Sequence, residues 1–253
     1  MKRLVHITVL TACAVLLSFF VHSLTGLDVE ERVSIWYFKA AFNPENRYES
    51  CMSPQTVASI VWDFRGIDTF FETATLFFSL VGILVLFKEE KIGSGEQCDS
   101  IYAQTGLKIT FLLMLVMSFS LTIFGHISPG GGFQGGTLAA TAVLVLVVGY
   151  SLEFLVKEKG ITLDKFIYLR MFGLTGIFVV SLLPLIGRIF GKGGYIFQNL
   201  AKSQENFGFP ATLLGMHISG SIFLYNLFEF LAVLGGFSLV TIILSHVELD
   251  RGE

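Results

Sequence analysis

The stretch Gly125-His126-Ile127-Ser128-Pro129-Gly130-Gly131-Gly132-Phe133-Gln134-Gly135-Gly136 separates two apolar runs, residues 107–124 and 133–156, and its reading decides the fold. Proline fixes φ and lacks an N–H, so within a helix it is at home only in the first turn. Pro129 is therefore expected to start a helix, with the preceding helix ending near Phe124. Five glycines, Gly130, Gly131, Gly132, Gly135 and Gly136, leave that helix end almost without side chains, at a cost of roughly 1 kcal/mol of helix propensity each. Two purposes fit such bareness. Gly131/Gly135 and Gly132/Gly136 have the small-xxx-small spacing that lets helices pack backbone to backbone. Alternatively, an ion pathway comes within reach of the backbone. On both readings the stretch is the turn of a membrane hairpin.

Nucleotide binding is excluded at this turn. Gly130, Gly132 and Gly135 match the spacing of the dinucleotide fingerprint, but they follow an apolar helix rather than a strand, and no Lys-Ser/Thr pair follows them.

Composition sets the class. At 53% hydrophobic, 14% aromatic and 15% charged residues, the chain is far more apolar than a soluble domain needs to be, so it reads as an all-α integral membrane protein. A net charge of -3 offers no basic patch for nucleic acid. Cys13, Cys51 and Cys98 lie far apart without Cys-x-x-Cys spacing. Neither a metal or iron-sulfur site nor a disulfide framework is expected within this chain, and no cofactor is assigned.

From the start, Lys2-Arg3 and the apolar residues 4–24 suit a first transmembrane helix of about 20 residues. Leu10-Thr11-Ala12-Cys13 resembles a lipoprotein cleavage box, but the run stays apolar through Val21, so the segment is read as uncleaved. Residues 27–52 carry eight charges, among them Arg32, Lys39 and Arg47, and form an aqueous loop. Within it Ile35-Trp36-Tyr37-Phe38 suits the headgroup level.

Residues 57–87 would form a helix of over 40 Å at 1.5 Å per residue, against a hydrocarbon core of roughly 30 Å. Counting back from Lys88 puts Asp63 and Arg65 at the interface and Glu72 about one turn inside. Arg65, Asp68 and Glu72 are spaced i, i+3 and i+7 on one face, where Arg65 can neutralise either carboxylate. An interfacial anchor explains Asp63 and Arg65 as well as a functional role does. Burial of Glu72 costs a few kcal/mol unless it is paired or hydrated, which favours a role in ion handling or at a contact between subunits.

The charged connection 88–99 suggests a division of the chain into residues 1–105 and 106–253. Further apolar runs at 107–124, 133–156, 166–190 and 218–245 bring the expected total to about six transmembrane helices. The balance of Lys and Arg, with Lys2, Arg3, Lys88, Lys108, Lys157, Arg170 and Arg251 on one side and Arg188, Lys192 and Lys202 on the other, puts both termini in the cytoplasm. The glycine turn and the polar loop 191–209 then share the outer side.

Glu229 falls near the middle of the last span, three residues after Asn226 on the same face. A carboxylate there is costly unless it faces protein, water or a cation, and it suits a group that takes up and releases a proton. A structural hydrogen bond to a neighbouring protein of a complex is the competing explanation. His6, His22, His217 and His246 read as interfacial, with His217 opening the last helix. His126 beside the glycine turn either relays protons near neutral pH or caps the turn. Glu153 and Lys157 read as an interfacial i, i+4 pair.

These residues carry a resemblance. The 125–136 stretch, with Gly220-Ser221-Ile222-Phe223-Leu224-Tyr225-Asn226-Leu227, is similar to the MnhB/MrpB-like subunit of the multisubunit Mrp-type Na+/H+ antiporters over residues 106–250. Asp63-Phe64-Arg65-Gly66-Ile67-Asp68-Thr69-Phe70-Phe71-Glu72 resembles the Asp-Phe-Arg-Gly-x-Asp-Thr-x-Gly-Glu stretch at the C-terminal end of the large MrpA-like subunit of those antiporters. In membrane-bound hydrogenases that stretch is a separate small subunit. The chain therefore resembles a fusion of two neighbours.

The resemblance implies a non-catalytic subunit of a cation-translocating complex in the plasma membrane. The implied partners are other Mrp-type antiporter subunits, hydrogenase-like or iron-sulfur subunits, membrane lipid, Na+ and H+. By carry-over Pro129, Phe133 and Glu72 are the leading positions on the ion path or at contacts between subunits, followed by Asp68 and Arg65. Phe71 departs from the motif's Gly. Ala232 stands where the family's last helix has a Lys or Glu, with Glu229 one turn earlier. A transport subunit and a structural adaptor both fit. An autonomous transporter is disfavoured by the lack of an internal repeat.

Overall fold

The computed structural model describes residues 11–12, 14–16, 18–19, 33–86, 100–150, 160 and 162–246. The expected first span, the charged connection 88–99, the Glu153–Lys157 pair, His6 and His22 lie wholly or largely outside these residues. The chain forms two compact units, Met1–Ala40 and Ala41–Glu253. In the first, helix α1 (Val33–Ala41) exposes Val33, Trp36 and Phe38, and the Trp36 and Tyr37 rings meet edge to face at 5.1 Å.

Among its described residues the second unit is helical apart from one short hairpin and an isolated bridge between Gly193 and Asn206. A short helix α2 (Thr56–Ser59) passes into a π-helical turn, Ile60–Phe64, and then into α3 (Gly66–Leu86). There follow α4 (Ile101–Ile123), α5 (Gly132–Tyr150), α6 (Leu163–Ile186) with a 3-10 turn Gly187–Phe190, and α7 (Ser221–His246). Five helical stretches among the described residues are long and apolar enough to cross a membrane. Ser221–Leu244 is the most buried of the five and Ile101–Ile123 the least. The fold is therefore that of a multi-pass, all-α membrane protein built around α7.

Two expected boundaries are corrected. The span expected at 57–87 is not one helix, because the π-turn breaks it at Arg65, whose N–H reaches back to the Ile60 carbonyl at 2.9 Å. Gly66 restarts the helix where a Cβ would lie 2.6 Å from the Phe197 ring, so the break is packed against the loop before α7. Such π-turns leave extra carbonyls to be satisfied by side chains, and Thr69 Oγ1 donates to the Val61 carbonyl at 2.6 Å. The second correction concerns Pro129. It lies exposed in the turn, and α5 begins three residues later at Gly132. Gly130 and Gly131 hold φ of 154° and 143°, which no helix can contain, and they separate the proline from the helix.

The glycines let three helices meet. A Cβ on Gly135 would strike Thr122 Oγ1 and come within 2.7 Å of the Ser118 carbonyl on α4, and Ser118 Oγ donates to the Gly135 carbonyl at 2.8 Å. A Cβ on Gly136 would lie 2.7 Å from Val233 Cβ on α7. On the other side of α7, Gly173 of α6 sits where a Cβ would be 2.5 Å from the Ala232 nitrogen. In a bilayer, where apolar burial drives little, this close van der Waals approach is what holds helices together.

The segment 191–220 closes one end of the bundle. Leu214 and Gly215, both at positive φ, form the tight turn between β1 (Thr212–Leu213) and β2 (Met216–His217). His217 therefore lies in β2 and does not open the last helix, as its place in the apolar run suggests; α7 starts at Ser221. Asn199 caps α7 by accepting from Ser221 N at 2.7 Å and Ser221 Oγ at 3.0 Å, and it donates to the Cys51 carbonyl at 3.2 Å.

The two histidines tie the hairpin to this end. His126 is buried, its Nε2 bonds the His217 carbonyl at 2.8 Å, and the two rings stack at 6.4 Å. His217 Nε2 reaches the Met52 carbonyl at 2.5 Å, and Ser53 Oγ donates to the His126 carbonyl at 2.7 Å. Burial holds the His126 pKa below its ordinary value of 6.5. The folded state thus resists a proton that the unfolded chain accepts. Stability is expected to be level above pH 6.5 and to fall as the pH drops from there through the folded value. Hydrogen exchange of residues 125–131 and 216–219, corrected for intrinsic rates, is expected to show protection lost on acidification in the native chain and a flatter pH dependence in His126→Gln.

Candidate functional site

The bare N-terminus of α5 is where the functional side chains converge. A helix start presents N–H groups without helical partners and the positive end of the helix dipole. Because Gly132 has no side chain, α7 approaches so closely that a Cβ there would strike the Asn226 carbonyl and lie 2.7 Å from Glu229 Cβ and 2.8 Å from Glu229 Oε2. The Phe133 backbone N–H hydrogen-bonds Glu229. The α7 carboxylate therefore caps α5. Glu229 lies eight residues, about 12 Å, from the start of α7 and four to five residues from the midpoint of that helix.

In front of this carboxylate is a cavity of about 190 Å³, room for several waters at roughly 30 Å³ each. Glu72 and Thr73 of α3 line one side, Glu229 and Asn226 of α7 the other, with Gly130, Gly131 and Phe133 of the hairpin at the rim. Glu72 is exposed on the chain's surface and Glu229 is buried, and the two are close enough for their charges to interact. Trp62 and Asn226 also line the cavity, while their Nε1 and Nδ2 atoms are fully buried and have no hydrogen-bond partner among the described residues. Stacking of Trp62 on Tyr225 at 4.7 Å fixes that indole. Two acids and the Asn226 amide thus line a cavity whose walls are otherwise largely apolar, a setting suited to hydrated cations or protons.

Apart from Asn226 and the hairpin residues Gly130, Gly131, Gly132 and Phe133, the other sequence candidates lie elsewhere. Arg65 Nε pairs with Asp68 at 2.7 Å, with both side chains largely exposed, so this pair faces outward beyond the cavity. Gly135 and Gly136 serve helix packing. Phe133 lies edge to face with Phe237 at 5.7 Å. Asp63 is not an interfacial neighbour of Arg65: the π-turn rotates it inward, where its side chain is only 3% exposed and pairs with Lys202 at 3.2 Å. Cys51 Sγ donates to the same carboxylate at 2.9 Å. Burial, and then Asp63, push the Cys51 thiol well up, so it remains a donor. Burial, the largest single influence, would lower the Lys202 pKa, but Asp63, Cys51 and Tyr195 together outweigh it and the ammonium is held above its ordinary value.

Sequence reasoning misses Trp62, Lys202 and above all Arg170, which the charge balance assigns to one membrane face. Arg170 is 1% exposed in the middle of the bundle. The signal that could have found it is Gly235-Gly236, one turn beyond Ala232. Among the described residues no group of three or more His, Cys, Asp or Glu is placed to hold a metal ion.

A family model described as "domain related to MnhB subunit of Na+/H+ antiporter" matches residues 102–239, more than half of the chain. The chain belongs to this MnhB family. The Na(+)/H(+) antiporter B subunit of Bacillus subtilis is 26% identical over 140 residues, 55% of this chain and 89% of that protein. Among solved structures, a chain of the membrane-bound sulfane sulfur reductase, an archaeal respiratory membrane complex, has the same fold with a TM-score of 0.64 at 23% identity, covering 96% of both chains. A longer chain of the Mrp complex from Dietzia sp. matches with a TM-score of 0.63 at 16% identity, covering 97% of this MnhB-related chain and 26% of its own length. Membership of the MnhB family thus rests on the hairpin half, while the shared fold extends over the whole chain.

Proposed function

We propose that this MnhB-related chain is an accessory membrane subunit of a multisubunit Na+/H+ antiporter module within a redox-driven ion-pumping complex, of the membrane-bound hydrogenase kind or a related ferredoxin-dependent one. It sits in the plasma membrane with both termini cytoplasmic, beside other Mrp-type subunits and hydrogenase-like or iron-sulfur subunits. The observation that carries the reading is the cavity in which Glu72, from the part resembling the large MrpA-like subunit, faces Glu229, from the MnhB-like part. We read residues 1–105 and 106–253 as the two fused parts, and the recurrence of the whole fold within one long Mrp chain supports that reading. The likeness to a respiratory complex supports the redox-driven setting.

The test joins composition and transport. The complex that co-purifies from native membranes in mild detergent is expected to contain large antiporter-like subunits together with iron-sulfur subunits. Glu72→Gln and Glu229→Gln are each expected to leave it assembled and to lower Na+/H+ exchange by about tenfold or more, the loss expected when an intramembrane charge on the path is removed. Unchanged exchange in both variants would favour a second reading, a purely structural adaptor in a stand-alone antiporter. That reading has its own support in Glu229, which caps α5 and would serve packing alone.

A further inference from the structure

Arg170 carries a fixed charge to the centre of the bundle. It leaves α6 and inserts between α3 and α7, where Nη1 donates to the Ala232 carbonyl at 3.0 Å and Nη2 to the Thr73 carbonyl at 3.1 Å. Its Cζ lies 5.7 Å from the centroid of the Phe77 ring. Gly236 makes the room, since a Cβ there would strike Nη1 and lie 3.1 Å from Cζ, and a Cβ on Gly235 would lie 2.8 Å from the Arg170 nitrogen. Ala232 is eleven residues, about 16 Å, from the start of α7, well inside that helix. A guanidinium keeps its proton even there.

Among the described residues no carboxylate lies within ion-pair distance of it. Its bonds go to backbone carbonyls on the two helices that supply the cavity's acids. Thr73 follows Glu72 directly and lines the cavity itself, and Ala232 lies three residues beyond Glu229. The charged groups on the elements around it are Asp68 and Glu72 on α3, Glu229 on α7, and Asp164 and Lys165 on its own helix. Arg170 does not itself line the cavity; it reaches it through Thr73, a lining residue whose carbonyl it holds and whose neighbour in sequence is Glu72. Pore proteins exclude cations with such a fixed positive charge, because in a low-dielectric setting a like charge raises a steep barrier.

We propose that Arg170 is the positioning charge of this cavity: a fixed positive barrier behind Glu72 and Glu229 that confines a cation to the cavity and stops it running on along the seam of α3, α6 and α7. The inference rests on the cation-handling reading of the cavity and adds the direction in which it is closed. A cation that enters must then leave by the mouth beside Glu72 or pass sideways to a neighbouring protein of the complex.

The experiment uses the whole complex in proteoliposomes and reads Na+ leak at zero pH gradient beside coupled exchange. Arg170→Met is expected to raise the uncoupled leak on the order of tenfold in an assembled complex, whereas Arg170→Lys, which keeps the charge, leaks like the native protein. A native-level leak in Arg170→Met, or an equal leak in the Lys variant, overturns the proposal. Should Arg170→Met fail to assemble, Arg170→Gln, whose amide still donates to the Thr73 or Ala232 carbonyl, takes its place and must leak. Exchange lost in Glu72→Gln and Glu229→Gln with no leak in either Arg170 variant removes the barrier alone. Exchange untouched by the acid substitutions removes the cavity reading beneath it.

Discussion

Gly132→Ala is expected to destabilise the assembled chain by about 3 kcal/mol, the upper part of the range for overpacking a tight contact. One methyl group would occupy the place of the Asn226 carbonyl and sit 2.7 Å from Glu229 Cβ, atoms of a helix backbone and its first side-chain carbon that cannot turn aside. α7 would have to retreat from α5, and the Glu229 cap would go with it. The control is Gly82→Ala, a helical glycine with nothing within 4 Å of the added carbon, which is expected to be neutral or to stabilise by up to about 1 kcal/mol through helix propensity. Thermal unfolding of the purified complex in detergent measures both. Equal melting temperatures for the two variants would mean that the close approach of α5 and α7 is not what holds the hairpin.

The second large effect lies in the loop before α7. Lys202→Met is expected to cost about 3 kcal/mol, at the lower end for breaking a buried ion pair because the lysine is 27% exposed. The loss comes from Asp63, whose side chain is nearly closed off and would lose its cationic partner while the Cys51 thiol still donates to it. Asp63→Asn added to Lys202→Met removes the stranded charge and is expected to restore most of the stability. A double variant as unstable as the single one would show that Lys202 acts by packing its stem and not by its charge. Melting curves of the two variants near neutral pH, well below the raised pKa of Lys202, make the comparison.

How much of this is legible beforehand divides along the range of the interactions. The apolar runs and the glycine turn announce an all-α membrane hairpin because they are local patterns with a local physical cause. The spacing of Asn226 and Glu229 puts them on one face of a helix for the same reason. That Glu72 lies across a cavity from them depends on how α3 packs against α7, which no spacing within either helix encodes. Asp63 pairs with a residue 139 positions away, and Arg170 bonds a carbonyl 97 positions away. The π-turn at Ile60–Phe64 hides inside the stretch 57–87 expected as one helix and shows itself only through Gly66, which makes room for Phe197. Pro129 misleads about the start of α5 because the two glycines after it adopt conformations no helix accepts, although glycine itself is the warning.

The central claim is that Glu72 and Glu229 act as one site. It is tested most directly by a double-mutant cycle on Na+/H+ exchange, with Glu72→Gln, Glu229→Gln and the combined variant in complexes whose assembly has been checked. Residues that work as a unit are strongly non-additive, so the combined variant is expected to be no slower than the slower single one. Losses that multiply would make the two acids independent, and full exchange in all three variants would contradict the claim outright.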